Sequence, residues 1–355
     1  MNRINSDSFI HLAADLNWTP PRWAGEALPF IGGDLQTLSS VIDPKMAKNR
    51  SASAKTDSRS VLVEMGDGDQ LLMKIDDPDK QADTQRPVLM LVHGLTGCSE
   101  STHILQFAHA ADAAGWQVVR VNMRGAGDGR PFARLSYNAA AGSDLAKASR
   151  DIARLFPNQP IIMVAVSLGG AAALNMAIEE TDLPLSGLAV ISAPVDMLDC
   201  SAAFHKRRNF PYMRYILRGL QKMAETSPDL PKPMLQEAMA ARSVWDFDEA
   251  VTAPLHGYPD ARRYYQRAST ATRLDQLNMP CLILHAQNDI WIPAEPLLNA
   301  TPGPQTSIVV ASGGGHVGFR QTSGLWHSGL WHSGLWHSGL WHIDTALSWA
   351  AAMLP

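Results

Sequence analysis

Short apolar runs alternate with longer amphipathic stretches along most of the chain. "VLVEM" and "QLLMKI", separated by "GDGD", predict two strands joined by a turn. After the polar loop "DDPDKQADTQR", the run "PVLMLVH" is apolar throughout, as in a strand covered on both faces. The period then changes. "STHILQFAHAADAAG" predicts a helix stopped at Gly115, "WQVVRVN" a strand, and "AAAGSDLAKASRDIARLF" an amphipathic helix. "PIIMVAV" follows as a strand, "LGGAAALNMAIEE" as a helix and "SGLAVIS" as a strand. Such alternation implies a mostly parallel sheet with helices on both faces.

The pattern also divides the chain. Residues 1–58, with "NWTPPRW" and a Ser- and charge-rich tail, read as an N-terminal extension of turns and irregular structure wrapping the core. Residues 59–196 form the first part of the core. Residues 197–270 are helical and interrupt the alternation, as a cap inserted over a sheet would. Residues 271–355 resume it with "PCLILHAQND" and "TSIVVASGGGH", which brings the expected strands to eight.

SGLWH then occurs four times in succession, from Ser323 to His342. A period of five fits neither helix nor strand, so no single face can form from it. The segment 323–342 reads as an expanded loop with partly exposed tryptophans. His327, His332, His337 and His342 belong to it and are not taken as metal ligands, because metal motifs use other spacings.

Composition narrows the classes. The chain has 355 residues, 46% of them hydrophobic, enough for a sizeable core. A net charge of −4 gives no electrostatic case for a nucleic-acid partner. Cys98, Cys200 and Cys281 are odd in number and widely spaced, against a disulfide framework or a zinc site. The opening residues lack an apolar signal core, and no apolar run reaches the length of a membrane span. A cytoplasmic protein without stable membrane insertion is expected. Oligomeric state is left open.

One serine carries the chemistry. Ser167 lies between a buried strand and a helix, with Ala165 and Gly169 two residues to either side, giving A-V-S-L-G where the usual elbow reads G-x-S-x-G. On its own this fits either an exposed nucleophile or a hydroxyl capping the helix. A base is expected after the last strand, and His316 stands there in "SGGGHVGF". His93 and His285, at strand ends, read as structural. Asp289 in "LHAQNDIWIP" is the favoured acid, and Asp196 in "ISAPVDM" is the alternative. The order Ser167, Asp289, His316 is that of an α/β-hydrolase. Oxyanion donors are expected in the backbone N–H groups of Leu168, after the serine, and Leu95, in "HGLTG".

With these residues placed, the chain resembles the YheT-like family of α/β-hydrolases. The resemblance rests on "LPFIGGDLQTL", "HGLTGCSES", "NMRGAGDGRP" with "LSYNAAAGSDL", and "FDEAVTAPLHGYPDARRYYQRAS", and runs from about Pro29 to the end. Ala165 and the SGLWH insertion depart from the family pattern. The resemblance implies an α/β-hydrolase fold, a mostly parallel eight-stranded sheet with a helical cap, acting on carboxylic esters or lipid-like acyl groups. Together these readings predict a serine esterase that needs no cofactor and takes a small-molecule ester. Acyl transfer to an alcohol, or a non-catalytic binding module, is the alternative. Met213, Ile216, Leu217 and Leu220 are read as packing residues that could instead cover an acyl chain. The cluster His205, Lys206, Arg207 and Arg208 is read as a solvated helix face, with contact to an anionic membrane surface as the alternative.

Overall fold

The computed structural model describes residues 2–5, 9–13, 18–42, 57–76, 86–322 and 340–354. Its frame is one ten-stranded sheet. In chain order the strands are β1 (Asn2–Asn5), β2 (Phe9–Ala13), β3 (Ser58–Glu64), β4 (Gln70–Asp76), β5 (Val88–Val92) and β6 (Gln117–Val121). They continue with β7 (Ile161–Val166), β8 (Gly187–Ile191), β9 (Cys281–Ala286) and β10 (Thr306–Ala311). Across the sheet they stand in the order β1-β2-β10-β9-β8-β7-β5-β6-β4-β3. The six strands from β6 to β10 in that row pair in parallel. Hairpins close both ends: β3–β4 pairs antiparallel with β6, and β1–β2 with β10.

The eight strands expected from the pattern are β3 to β10. The first two were expected as irregular structure and are a hairpin instead. Its second strand, "FIHLA", is too short to stand out among Pro, Ser and charged neighbours. Tertiary context forms it: β10 would otherwise end the sheet with an open edge, and β2 supplies its hydrogen bonds with Ile10 opposite Val310.

Side-chain alternation sorts the strands into two cores. Val88, Met90 and Val92 of β5 and Ile161, Met163 and Ala165 of β7 face one layer. Leu89 and Leu91, with Ile162, Val164 and Val166, face the other. Helices α3 (Gly142–Leu155) and α4 (Leu168–Glu179) cover the first face through Leu145, Ile152 and Leu174. Helix α2 (Thr102–Ala113) and the last helix, α9 (Trp341–Ala352), cover the second through Phe107, Trp341 and Trp349. Of the repeat, Leu340, Trp341 and His342 fall within the described residues. Trp341 and His342 are fully buried at the start of α9, so this tryptophan is a core residue rather than an exposed one. The rest of the repeat lies outside the described residues.

Between β8 and β9 the chain is helical. It includes α5 (Met197–Phe204), α6 (Phe210–Glu225), α7 (Lys232–Ala240) and α8 (Ala261–Ala268). Met213, Ile216, Leu217 and Leu220 of α6 join Ala238, Phe247 and Val251 in a third apolar cluster. No helix among the described residues is long and apolar enough to cross a membrane.

The Trp349 indole lies on Gly187 of β8, where any Cβ would meet its ring. Trp349→Ala is therefore expected to lower stability by about 3–5 kcal/mol. Urea unfolding followed by far-UV circular dichroism measures this, and an unchanged midpoint would contradict the packing described.

Candidate active site

Four loops converge at the carboxyl ends of the parallel strands, where open α/β sheets place their sites. They follow β5, β7, β9 and β10 and carry Gly94, Ser167, Asp289 and His316.

Ser167 joins β7 to α4 at φ 54°, ψ −124°. This left-handed backbone lifts the side chain clear of both elements. The hydroxyl makes no capping bond to the helix. It meets Nε2 of His316 at 3.0 Å instead. Gly169 explains the tight turn, because a Cβ there would run into the His93 carbonyl oxygen.

Nδ1 of His316 lies 2.8 Å from Oδ2 of Asp289. The other carboxylate oxygen accepts from the backbone N–H groups of Trp291 and Ile292, at 2.9 and 3.0 Å. Burial alone would raise the Asp289 pKa, but the facing imidazole and the Trp291 N–H outweigh it and hold the carboxyl below the usual range. The Trp291 ring packs on the imidazole with centroids 4.5 Å apart. Asp196 is engaged elsewhere. Its Oδ1 accepts from Leu198 and Asp199 as the N-cap of α5.

The loop after β5 is fixed by its own carbonyl. His93 Nε2 accepts from the Met123 N–H at 3.0 Å, so its Nδ1 is the donor to the Gly94 oxygen at 2.8 Å. Gly97 N–H and the Tyr137 hydroxyl donate to the same oxygen, at 3.1 and 3.3 Å. Burial lowers the His93 pKa to about 4, keeping the ring neutral and this tautomer in place. In a trans peptide the N–H opposes the carbonyl, so three donors on Gly94 turn the Leu95 N–H away from them. Gly94 itself packs against Ser167: a Cβ would stand 2.9 Å from that of the serine. Leu95 and Leu168 both line the adjoining cavity. His285 is a buried strand residue whose Nε2 meets the Ile292 carbonyl.

The N-terminal segment braces the histidine and acid loops, which no residue pattern had signalled. Helix α1 (Gly33–Ile42) supplies Thr37, whose hydroxyl accepts the His316 N–H at 2.9 Å. Gln36, fully buried, bonds the Arg320 backbone through both ends of its amide. Glu26 accepts from Asn288 and from the Gly314 N–H. Asn288 in turn accepts from Gly315 N–H. The trace of this brace in the sequence is "DLQTL", part of the stretch that carries the family resemblance.

A cavity of about 750 Å³ opens beside Ser167 and His316. Met213, Ile216 and Leu220 line it, whereas Leu217 packs within the cluster behind. Asp248 marks a polar point in the wall. It accepts from Thr252 and Tyr265 hydroxyls, each at 2.6 Å, and burial raises its pKa to about 6.

A parallel sheet, a strained serine elbow and a histidine–aspartate pair on the following loops define the α/β-hydrolase class. The comparisons agree: a profile of the alpha/beta hydrolase family matches residues 89–324. YheT of Escherichia coli is 32% identical over 266 residues, spanning 72% of this chain and 77% of that one. The chain belongs to the alpha/beta hydrolase family and stands with its YheT-like members. Human phospholipase ABHD3 is 28% identical over 278 residues, 76% of this chain and 68% of its own. Among solved structures, a Pyrococcus furiosus esterase shares the fold at a TM-score of 0.50 with 13% identity, over 75% of this chain and 85% of that one. By fold and relatives the chain is an enzyme of the esterase and lipase type.

Replacing Thr37 with valine leaves the buried His316 N–H without its acceptor. Thr37→Val is expected to cost about 1–3 kcal/mol of stability, read from its urea midpoint. A variant as stable as the parent would show that the bond does not hold the loop.

Proposed function

We propose that the chain is a serine hydrolase that cleaves carboxylic esters of apolar acyl groups through an acyl-enzyme. Ser167 is the nucleophile, His316 the base and acid in turn, and Asp289 the group that orients the imidazole. The observation that carries this reading is the unbroken row from Ser167 Oγ through both nitrogens of His316 to Asp289, with links of 3.0 and 2.8 Å.

The chemistry follows from the row. His316 Nε2 takes the hydroxyl proton as Oγ attacks the ester carbonyl, and the carbonyl π pair moves onto oxygen. Leu168 N–H, at the start of α4, and Leu95 N–H hold that oxyanion. The helix dipole favours negative charge at the first of them. The intermediate collapses as His316 gives its proton to the departing alcohol. Water then repeats the sequence, releasing the acid and restoring the serine. Asp289, ionised well into the acid range, stabilises the imidazolium formed at each step.

The apolar lining of the cavity supports an acyl chain as its occupant. A phospholipase among the relatives is in keeping with a lipid-like ester. Each methylene buried there contributes about 0.8 kcal/mol.

A fluorophosphonate probe should label the protein, with labelling abolished in Ser167→Ala. A well-folded parent that stays unlabelled would end this reading. Asp289→Asn should lower kcat by roughly 1,000- to 10,000-fold, as loss of the orienting carboxylate does in a related triad. Asp196→Asn should retain activity; the reverse pattern would move the acid to position 196. On p-nitrophenyl esters of increasing acyl length, kcat/KM should rise about fourfold per methylene until the cavity is filled. Flat dependence on length would exclude the cavity as the acyl site.

A further inference from the structure

The cavity opens through one segment of unusual charge. Four of its lining residues are exposed, and all fall in one stretch: His205, Arg208, Pro211 and Tyr215. Between Asp199 and Glu225 the chain has six Lys and Arg residues and no acidic one, within a protein of net charge −4. Helix α6 sorts them by period. Met213, Ile216, Leu217 and Leu220 turn inward, whereas Arg214, Tyr215, Arg218 and Lys222 stand exposed at three- and four-residue spacing.

Large apolar groups share this face. Phe210 is 52% and Tyr215 67% exposed, and the Arg214 guanidinium lies over the Phe210 ring at 5.8 Å. Asp34 of α1 ties the N-terminal segment to the same rim, through Arg208 at 2.8 Å and the Tyr212 hydroxyl at 2.9 Å. That segment brings Leu28, Ile31 and Leu35, also exposed. Five of the nine exposed large hydrophobic residues among those described thus belong to two segments joined at the mouth.

We infer that this face, centred on residues 205–222, docks on an anionic lipid surface and presents the cavity mouth to it. Two features together choose the occupant. Six cations, of which Arg208 is paired with Asp34 and the other five have no acidic neighbour within the segment, complement an anionic leaflet, and aromatic side chains among them suit the boundary between headgroup and acyl chain. A solvated helix face accounts for the cations but leaves the exposed Phe210 and Tyr215 without a role. Docking is peripheral, in keeping with the lack of a spanning helix among the described residues. That docked lipids are also cleaved rests on the hydrolase reading; docking itself does not.

The test is co-sedimentation of the full chain, as Ser167→Ala, with phosphatidylcholine vesicles and with equimolar phosphatidylcholine–phosphatidylglycerol vesicles. Binding is expected to the mixed vesicles, to weaken with salt, and to be slight with phosphatidylcholine alone. Each Lys or Arg near such a surface strengthens partitioning by roughly fivefold. The triple variant Arg214→Gln, Arg218→Gln, Lys222→Gln should therefore bind on the order of 100-fold more weakly. Its urea midpoint, and turnover of a soluble short-chain ester in the Ser167 background, should be unchanged. Tyr215→Ser tests the aromatic part and should also weaken binding. Equal binding to both vesicle types, no binding, an unaffected triple variant, or preference for single-stranded RNA over vesicles would overturn the proposal. Because binding is measured without Ser167, a failure of the hydrolytic reading would show separately, as absent turnover beside intact docking.

Discussion

The backbone of Ser167 is the constraint from which the rest of the site follows. A non-glycine residue held at φ 54° costs about 1–3 kcal/mol, so its surroundings must over-determine it. They do so from both sides. The Ser167 N–H donates to the Ile191 carbonyl of the neighbouring β8, and Gly170 and Ala171 N–H groups return to the serine carbonyl to start α4. Gly169 allows α4 to approach the end of β5, and Gly94 lets the next loop lie against the serine. A side chain at either glycine would force these elements apart, and the elbow would relax with them. The sheet thus stores strain at one residue, and a hydroxyl raised towards His316 is the result.

Holding the serine up is only half of the problem, since its partners come from distant chain. Asp289 and His316 sit on loops after β9 and β10, and loops alone do not keep two atoms within hydrogen-bond distance. Here the N-terminal segment acts as a brace. Glu26, Gln36 and Thr37 bond Asn288, Gly314, His316 and the Arg320 backbone, reaching nearly 300 residues ahead in sequence. The β1–β2 hairpin adds to the same edge of the sheet by pairing with β10. A segment that read as a wrapping extension therefore holds the backbone of the catalytic-loop histidine, His316, through one hydroxyl.

What could be read beforehand follows the same physics. Strands buried on both faces are runs of Val, Ile, Leu and Met, and helices over them repeat at 3.6, so β5 to β10 and the helices around them were legible. Ser167, Asp289 and His316 were legible because a strand–turn–helix with small residues, and loops after particular strands, leave local traces. Their mutual distances are a property of the fold. The role of Thr37 left no trace, since an ordinary threonine in an ordinary helix becomes an acceptor only when a loop some 280 residues away folds onto it. Tyr137 is similar: its hydroxyl matters because His93 and Gly97 aim at the same carbonyl. The β2 strand was obscured for another reason. It is formed by an open edge elsewhere, and five residues cannot announce that.

The SGLWH repeat presents the opposite case, a conspicuous sequence of which Leu340, Trp341 and His342 alone fall within the described residues. It begins seven residues after His316, close enough to threaten the loop that carries the imidazole. The described residues on its two sides nevertheless meet. Arg320 pairs with Leu340 as an isolated bridge, and the Trp341 N–H donates to the Phe319 carbonyl at 3.0 Å. Trp341 then packs between Trp23 and Phe319, with ring centroids at 5.4 and 6.0 Å. Chain leaves the core at one point and re-enters it beside that point. The cost of closing a loop grows only with the logarithm of its length, about 0.6 kcal/mol per doubling for a flexible chain. By that measure whole copies added between two fixed ends cost little closure entropy. Phe319, Trp341 and the bridge thus hold the two described ends side by side and fix the chain that leads back to His316.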